Sequence, residues 1–431
     1  MKENSYLYKK IRKIDDDELR PTFHFTAPVG WINDPNGLIH YKNYYQLYYQ
    51  YNPYAPHWDN MHWGHARSKD GLHWEDMPIA MKPDHEYDKT GVFSGSAIEK
   101  DGKLYVLYTG HVDENGQITE TQCVAVSDDG VDFKKYENNP VMTVADLPGE
   151  TDESNFRDPK VFKHGDKYYC VVAAALEKHG SLVLFESDDL LHWSFKSVLL
   201  QGEEYGIMTE CPDYFNLNGQ DYLAFSVILG DSRNSIVYIA KGHMDWQNFK
   251  FKLKEQHRLD DSDDFYASQS FVDEKGNRII IPWLRSADHV NYLEESGHLW
   301  NGMMGIPRRL TMNNGQLIQK PIGTINDMSL SDSQDIDLGS YKLTEEIPID
   351  HSLILKGDNG EIHITRKKED QYVIEIHSPV FIKTVSWHPD NHKLTLVIDN
   401  SSLELFSQSK TLSIVTFVSG MSPTIFKQVA T

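Results

Sequence analysis

Three short acidic motifs stand far apart in this chain of 431 residues: Asp34 in WINDPNG, Asp158 in FRDPK and Glu210 in TECPD. Two carboxyl groups held at different pKa values are what glycosidic cleavage needs, one as nucleophile or base and one as proton donor. The sequence offers local reasons for such a split. Asp34 and Asp158 each precede proline, which pushes a residue towards extended backbone. At 33–37 the Pro-Asn-Gly run reads as a turn that would hold Asp34 at a strand end. Arg157 adjoins Asp158, and a neighbouring cation favours an ionised carboxylate. Thr209 and Cys211 flank Glu210 with small, moderately apolar groups, an environment that would raise its pKa as a donor requires. A lone Asp-Pro or Glu-Cys dipeptide is usually a turn or a packing detail. The spacing gives these three their weight.

That spacing follows a repeat. SKDGLHW (68–74), SDDGVDF (127–133) and SDDLLHW (187–193) each close an apolar run, and AKGHMDW (240–246) is a weaker copy. Asp34 lies 34 residues ahead of Ser68, Ser94 of FSGS lies 33 ahead of Ser127, Asp158 lies 29 ahead of Ser187, and Glu210 lies 30 ahead of Ala240. A period of roughly 40–50 residues, lengthened by loops, is that of a propeller blade of four strands. Equivalent positions of successive blades ring a central channel, so one polar element per blade would converge on one pocket. Short apolar or alternating runs at 44–51, 103–110, 167–175, 181–187, 221–227, 235–241 and 278–284, punctuated by Gly, Asn, Asp and Pro, read as antiparallel strands. They continue to about residue 320. Beyond Pro321 the stretch 322–340 is rich in Ser, Asp and Gly, and alternating runs resume at 372–378, 393–399, 402–408 and 412–418. The expectation is an all-β chain: a five-bladed β-propeller over 1–325 and a C-terminal β-sandwich of structural role over 338–431.

Composition narrows the partners. With 64 acidic and 42 basic side chains, net charge −22, a nucleic-acid partner is not expected, because phosphate neutralisation needs clustered Lys and Arg. An anionic membrane surface is disfavoured for the same reason, and no run approaches the length of a membrane span. The three cysteines, Cys123, Cys170 and Cys211, form no C-x-x-C pair, so neither a disulfide framework nor a cysteine zinc site is expected. The N-terminal stretch has no apolar signal region, and a cytoplasmic location is expected. His57, His62, His65 and His73 crowd a Trp-rich loop without metal-ligand spacing, and they read as packing and secondary donors rather than a metal site. Cys211 reads as a small packing residue behind the acid. The acidic run 260–264 reads as a loop whose end would bring Asp264 and Tyr266 towards the pocket.

Taken together, HFTAPVGWINDPNG, QYNP, MHWGHARSKDGLHW, FSGS, FRDPK, ECPD, DFYA and GIPRRL resemble, in order and over essentially the whole chain, the family 32 glycoside hydrolases, the invertase and fructanase group. The resemblance implies a retaining β-fructofuranosidase. Asp34 would attack C2 of the fructosyl unit, Glu210 would serve as acid/base, and Asp158 would bind fructose hydroxyls beside Arg157. Asn33, Gln50, Trp58, Phe93, Ser94 and Tyr266 would line the fructose pocket, with Trp283 as a further wall. Retention implies Asp34 and Glu210 carboxyls about 5–5.5 Å apart. No metal or organic cofactor is required. Asp59 stands where glycine is usual, and Arg309 where an acid is common.

The partner would be a small sugar: sucrose, a short fructo-oligosaccharide or sucrose 6-phosphate, with Arg285, Arg308 and Arg309 as candidates for a phosphate rim. Unphosphorylated sugars are the reading preferred here. A monomer or homodimer is expected. An inverting arabinanase-like propeller, a fructosyltransferase and an inactive binding propeller stay open as alternatives.

Overall fold

The computed structural model describes residues 17–230, 235–323, 325, 327–328 and 340–428. The chain is all-β. Blade 1 comprises β1 (Gly30–Tyr41), β2 (Tyr44–Asn52), β3 (His62–Ser68) and β4 (Trp74–Asp76). Blade 2 comprises β5 (Gly91–Lys100), β6 (Lys103–Glu114), β7 (Gln117–Ser127) and β8 (Lys134–Lys135). Blade 3 comprises β9 (Thr151–His164), β10 (Lys167–Leu176), β11 (His179–Ser187) and β12 (Ser194–Gln201). Blade 4 comprises β13 (Thr209–Leu217), β14 (Gln220–Ile228), β15 (Ser235–Asp245) and β16 (Lys250–Arg258). Blade 5 holds β17 (Phe265–Val272), β18 (Arg278–Leu284), β20 (Met303–Met304), β21 (Arg308–Asn313) and β22 (Gln316–Pro321). The short β19 (Trp300–Asn301) leaves this blade and pairs in parallel with the start of β1, at Gly30 and Trp31.

The first strands of the five blades, β1, β5, β9, β13 and β17, lie next to one another in a closed ring. A separate apolar core fills each gap between blades. Tyr48, Trp63, Val106 and Tyr108 lie between blades 1 and 2, Phe156, Val172, Val183 and Phe185 between 2 and 3, and Leu184, Tyr205, Leu223 and Phe225 between 3 and 4. Phe215, Tyr222, Phe265 and Ile280 lie between blades 4 and 5, and Leu47, Tyr49, Phe271 and Ile281 between 5 and 1. Aromatic and β-branched side chains on both faces of each strand suit sheets that are covered on both sides.

The sequence repeat is a turn that ends the third strand of a blade. Ser68 Oγ accepts from the Gly71 N–H, and Asp70 Oδ1 accepts from the Leu72 and His73 N–H groups. Ser127 with Asp129 and Ser187 with Asp189 repeat this bonding. The fourth copy departs from expectation. By strand register the residue equivalent to Ser68, Ser127 and Ser187 is Gly242, opposite Asp221, rather than Ala240. Strand β15 runs on to Asp245, whose carboxylate caps the turn by accepting from the Gln247 and Asn248 N–H groups.

Two further five-stranded sheets face each other over one core, with Leu343, Leu355, Ile364, Tyr372, Trp387 and Leu405 at its centre. One joins β23 (Asp327–Met328), β24 (Tyr341–Glu346), β29 (Lys393–Asp399), β30 (Ser402–Phe406) and β31 (Thr411–Val415). The other joins β25 (His351–Lys356), β26 (Glu361–Lys368), β27 (Gln371–His377), β28 (Ile382–Trp387) and β32 (Ser422–Gln428). The junction expected at 326–337 lies mostly outside the described residues.

The sandwich is held to the propeller by buried charge. Arg308 spans Asp260 and Glu404 at 3.0 and 2.6 Å, and His24 spans Asp399 and Glu404 at 2.9 Å each, all four of these ion pairs being fully buried. Arg308 was a candidate for the phosphate rim, and this placement excludes it. Alternation along β21 sends Arg308 into the domain junction and leaves Arg309 exposed on the outer face, away from the pocket. Among the described residues no helix is long and apolar enough to cross a membrane.

Candidate active site

In all five inner strands the pairing register breaks at equivalent places. β-Bulges fall between Ile32 and Pro35, Phe93 and Gly95, Arg157 and Lys160, Glu210 and Asp213, and Tyr266 and Gln269. A bulge places two residues against one and re-aims a side chain that the pleat would have pointed elsewhere. Asp34, Ser94 and Asp158 sit inside these bulges, while Glu210 and Tyr266 sit at their edges. Asp158 and Cys211 take left-handed backbone, φ 63° and 48°, a conformation that non-glycine residues rarely adopt and that a packed ring must enforce. The turn expected at 33–37 is therefore a bulged stretch inside β1, with Gly37 at φ 52° and the Tyr48 ring too close to admit a side chain there.

The five bulges open on one cavity of about 680 Å³. It is lined by Trp31, Asn33, Asp34, Gln50, Trp58, Phe93, Ser94, Ile118, Glu120, Ser154, Asn155, Arg157, Asp158, Glu210, Ile228, Tyr266, Trp283, Arg285, Ala287, Val290 and Asn291. Every residue that the family resemblance placed in the pocket is in this wall, and so is Arg285. Asp34 is held by Ser94, whose hydroxyl donates to Oδ2 at 2.6 Å, and by Asn33, whose amide donates to Oδ1 at 3.2 Å. Trp31 fixes that amide by donating Nε1–H to Asn33 Oδ1 at 2.8 Å. Gln50 donates to the Val92 carbonyl at 3.0 Å. Trp58, 54% exposed, stands at the rim with its ring edge-on to Phe93, and Trp283 packs edge-on to Trp31 and Tyr266.

The second carboxylate has different partners. Arg157 Nη2 donates to Glu210 Oε1 at 2.8 Å and Nε to the same oxygen at 3.2 Å. The Tyr266 hydroxyl donates to Glu210 Oε2. The other arm of Arg157 is bound by Glu120 at 3.0 Å, and Glu120 also meets His111, whose ring stacks on Phe93 at 3.9 Å. The sequence expectation paired Arg157 with Asp158; the bulge turns its guanidinium to Glu210 instead. Asp158 accepts from the Cys211 N–H at 2.8 Å, and its own N–H donates to Thr109 Oγ1 at 2.9 Å. Cys211 does more than pack behind the acid. Its thiol lies 3.4 Å from Asp34 Oδ2 and 3.5 Å from Asp158 Oδ2, so it bridges the two carboxylates.

Burial raises the Asp34 carboxyl, the nearby Glu210 charge adds to this, and the Ser94, Asn33 and Cys211 hydrogen bonds oppose it. Burial pushes Asp158 up to about 8, against the counter-pull of Arg157. The Glu210 side chain is 19% exposed.

Asp264 does not reach the pocket. It is buried at the domain junction and accepts from the Ala287 and Val415 N–H groups. The crowded histidines pair locally: His57 with Glu294, His62 with the Asn60 carbonyl, His65 with Gln46, and His73 with Asp70. Trp31, Glu120, Asn155 and Asn291 are wall residues that sequence reasoning missed. Trp31 lies within the quoted WINDPNG motif; Glu120 carries no local signal, since it stands in an ordinary β-run.

Comparison with known proteins matches this geometry to a family. Residues 24–321 match the family model "Glycosyl hydrolases family 32 N-terminal domain". The chain belongs to glycoside hydrolase family 32. It is 39% identical to an Escherichia coli sucrose-6-phosphate hydrolase over 331 residues, 73% of this chain and 66% of that protein, so the match spans just under two thirds of that relative. It is 34% identical to the sucrose-6-phosphate hydrolase of Bacillus subtilis over 412 residues, 90% of this chain and 82% of that one. A Bombyx mori GH32 β-fructofuranosidase variant solved with sucrose superposes with a TM-score of 0.78 at 29% identity, covering 98% of this chain and 95% of that one.

Proposed function

We propose that the chain is a retaining β-fructofuranosidase that hydrolyses terminal β-D-fructosyl units of sucrose and short fructo-oligosaccharides. The observation that carries this is the convergence of Asp34, Asp158 and Glu210 from three blades on one cavity, with separate partners for each carboxyl. In this reading Asp34 attacks C2 of the fructosyl unit as the C2–O bond to the leaving group breaks. The leaving oxygen takes a proton from Glu210. Glu210 then removes a proton from water, the water oxygen bonds to C2, and the Asp34 ester is released. Asp158 binds fructose hydroxyls, and Trp31, Trp58, Phe93 and Trp283 supply apolar faces for the ring. Burial raises the Asp158 carboxyl to about 8, so this residue holds a proton near pH 7 where an isolated carboxyl would have lost it. The family affiliation and the sucrose complex of the B. mori structure support this reading.

Two measurements test it. Proton NMR of the first turnover should show β-fructose before mutarotation; α-fructose would overturn retention. Rates on sucrose, 1-kestose and sucrose 6-phosphate should rank the unphosphorylated sugars first. One observation favours a second reading, phosphorylated sucrose: Arg285 lines the cavity with its guanidinium 4.5 Å from the Tyr266 ring, and the E. coli and B. subtilis relatives are named sucrose-6-phosphate hydrolases. A kcat/KM for sucrose 6-phosphate above that for sucrose, lost in Arg285→Met, would establish it.

A further inference from the structure

The channel has a second mouth. The inner strands run from the site into the ring and end at its opposite face, where a cavity of about 770 Å³ opens among their last residues. The two cavities are separated by a polar plug. Lys160 donates to the Ser270 carbonyl at 2.6 Å and Gln269 Oε1 at 3.2 Å, and pairs with Asp213 at 2.8 Å. Gln269 in turn donates to the Pro212 carbonyl. Those groups satisfy one another and add no net charge to either side.

Below the plug one charge is left over. Arg278 opens β18 and lies with its guanidinium 5.3 Å from the Phe215 ring. Its Nε is buried and meets no acceptor, and its polar contact is a 3.4 Å approach of Nη1 to Ser270 Oγ. Among the described residues no carboxylate forms an ion pair with it. Asp213 acts on it only at longer range, being already engaged by Lys160. In a chain with 64 acidic and 42 basic side chains, a mostly buried guanidinium without a carboxylate goes against composition. Such a group is costly to bury unless something anionic completes it. The rest of the mouth fits that role. Lys163 stands exposed at the rim, and His164 lies flat on Trp246 at 3.9 Å, so the cavity offers cationic groups above an aromatic wall. Asp221, the acid that also lines it, is occupied by the Tyr214 hydroxyl, the Asn216 amide and the Met244 N–H.

We propose that this second mouth binds a small phosphate-type oxyanion, held by Arg278 with Lys163 at the rim and separated from the sugar pocket by the Lys160–Asp213 plug. Arginine suits this ligand, since its planar fork matches phosphate oxygens two at a time. The site does not depend on which sugar is cleaved above it.

The test is calorimetric titration of the purified full chain with inorganic phosphate in low-salt buffer. One saturable site is expected, unaffected by saturating fructose and by Arg285→Met. Arg278→Met should weaken it roughly tenfold or more, with sucrose hydrolysis and circular dichroism unchanged. Should that variant not fold, Arg278→Lys and the exposed Lys163→Met carry the test, each expected to weaken binding by roughly two- to fivefold. The proposal is overturned by the absence of saturable binding, by unchanged affinity in folded Arg278 and Lys163 variants, or by displacement with fructose. Equal affinity for acetate would reduce the position to a general counter-ion cloud and overturn it as well.

Discussion

Two clusters of buried charge in this molecule are built on opposite rules. At the domain junction, three buried carboxylates meet two cations: Arg308 meets Asp260 and Glu404, and His24 meets Glu404 and Asp399. The result is extreme charge stability. Arg308 and His24 hold the Glu404 carboxyl down to about 2, and the two acids raise His24 to about 9, both against the pull of burial. At the candidate active site, Glu210 and Glu120 share Arg157, whose charge also acts on Asp158, and burial drives Asp34 and Asp158 upward. The junction pairs these charges across the two domains and so holds them together. The pocket holds more carboxyls than cations, and burial keeps Asp34 and Asp158 above the usual carboxylate range. Matched charge is a fastener; unmatched charge is a site.

That contrast can be broken at its strongest point first. Asp34→Asn should lower kcat on sucrose by roughly 10⁴-fold or more while the thermal midpoint holds or rises, because the variant removes the proposed nucleophile and one of the repelling charges. A loss of folding instead would show Asp34 to be a structural ion. Arg308→Met should do the reverse. It strands Asp260 and Glu404 in the junction at a cost of ~3–5 kcal/mol, read as a drop in unfolding midpoint, with kcat of the folded fraction unchanged.

Asp158→Asn tests both rules in one residue. Loss of its contact to the developing charge should cost about 10²–10³-fold in kcat. Stability should move the other way. The unfolded pKa is about 3.9 and the folded value about 8, so the native state holds the extra proton between those values. Wild-type stability therefore falls as pH climbs through that window, and the variant should flatten the fall, as urea midpoints measured from pH 4 to 8 would record.

His24→Gln is the finest test. A raised histidine stabilises fully below its unfolded pKa near 6.5 and loses that contribution as pH rises to about 9. The variant should remove a pH-dependent contribution on the order of 1–3 kcal/mol confined to that interval. Unchanged slope would mean that the junction does not depend on His24 charge.

The same contrast explains what the sequence disclosed. Asp34, Ser94, Asp158 and Glu210 were legible because each stands at nearly constant distance from a blade turn, and blade phase is a one-dimensional quantity. The bulges were not. Whether Asp158 adopts φ 63° or Arg157 points to Glu210 is decided by packing around the ring, which no single motif contains. Glu120 escaped for that reason: its role exists only once β9 has swung Arg157 across to it. Arg308 and Asp264 were misread towards the pocket because sequence shows proximity to a motif but not which face of a strand a side chain takes. The fourth repeat was placed two residues early, since Gly242 carries none of the serine's turn chemistry.

The parallel clasp of β19 on β1 sets an order of events in the life of the chain. Gly30 donates its N–H to the Leu299 carbonyl, and Trp31 lies beside Asn301. A growing polypeptide exposes Asp34 early, yet the strand that carries it has an open flank until some 270 residues more have been made. Hydrolytic competence thus arrives late in synthesis, with the last blade, and a chain truncated before Trp300 would carry the Asp34, Asp158 and Glu210 carboxyls without the enclosure that makes them work together.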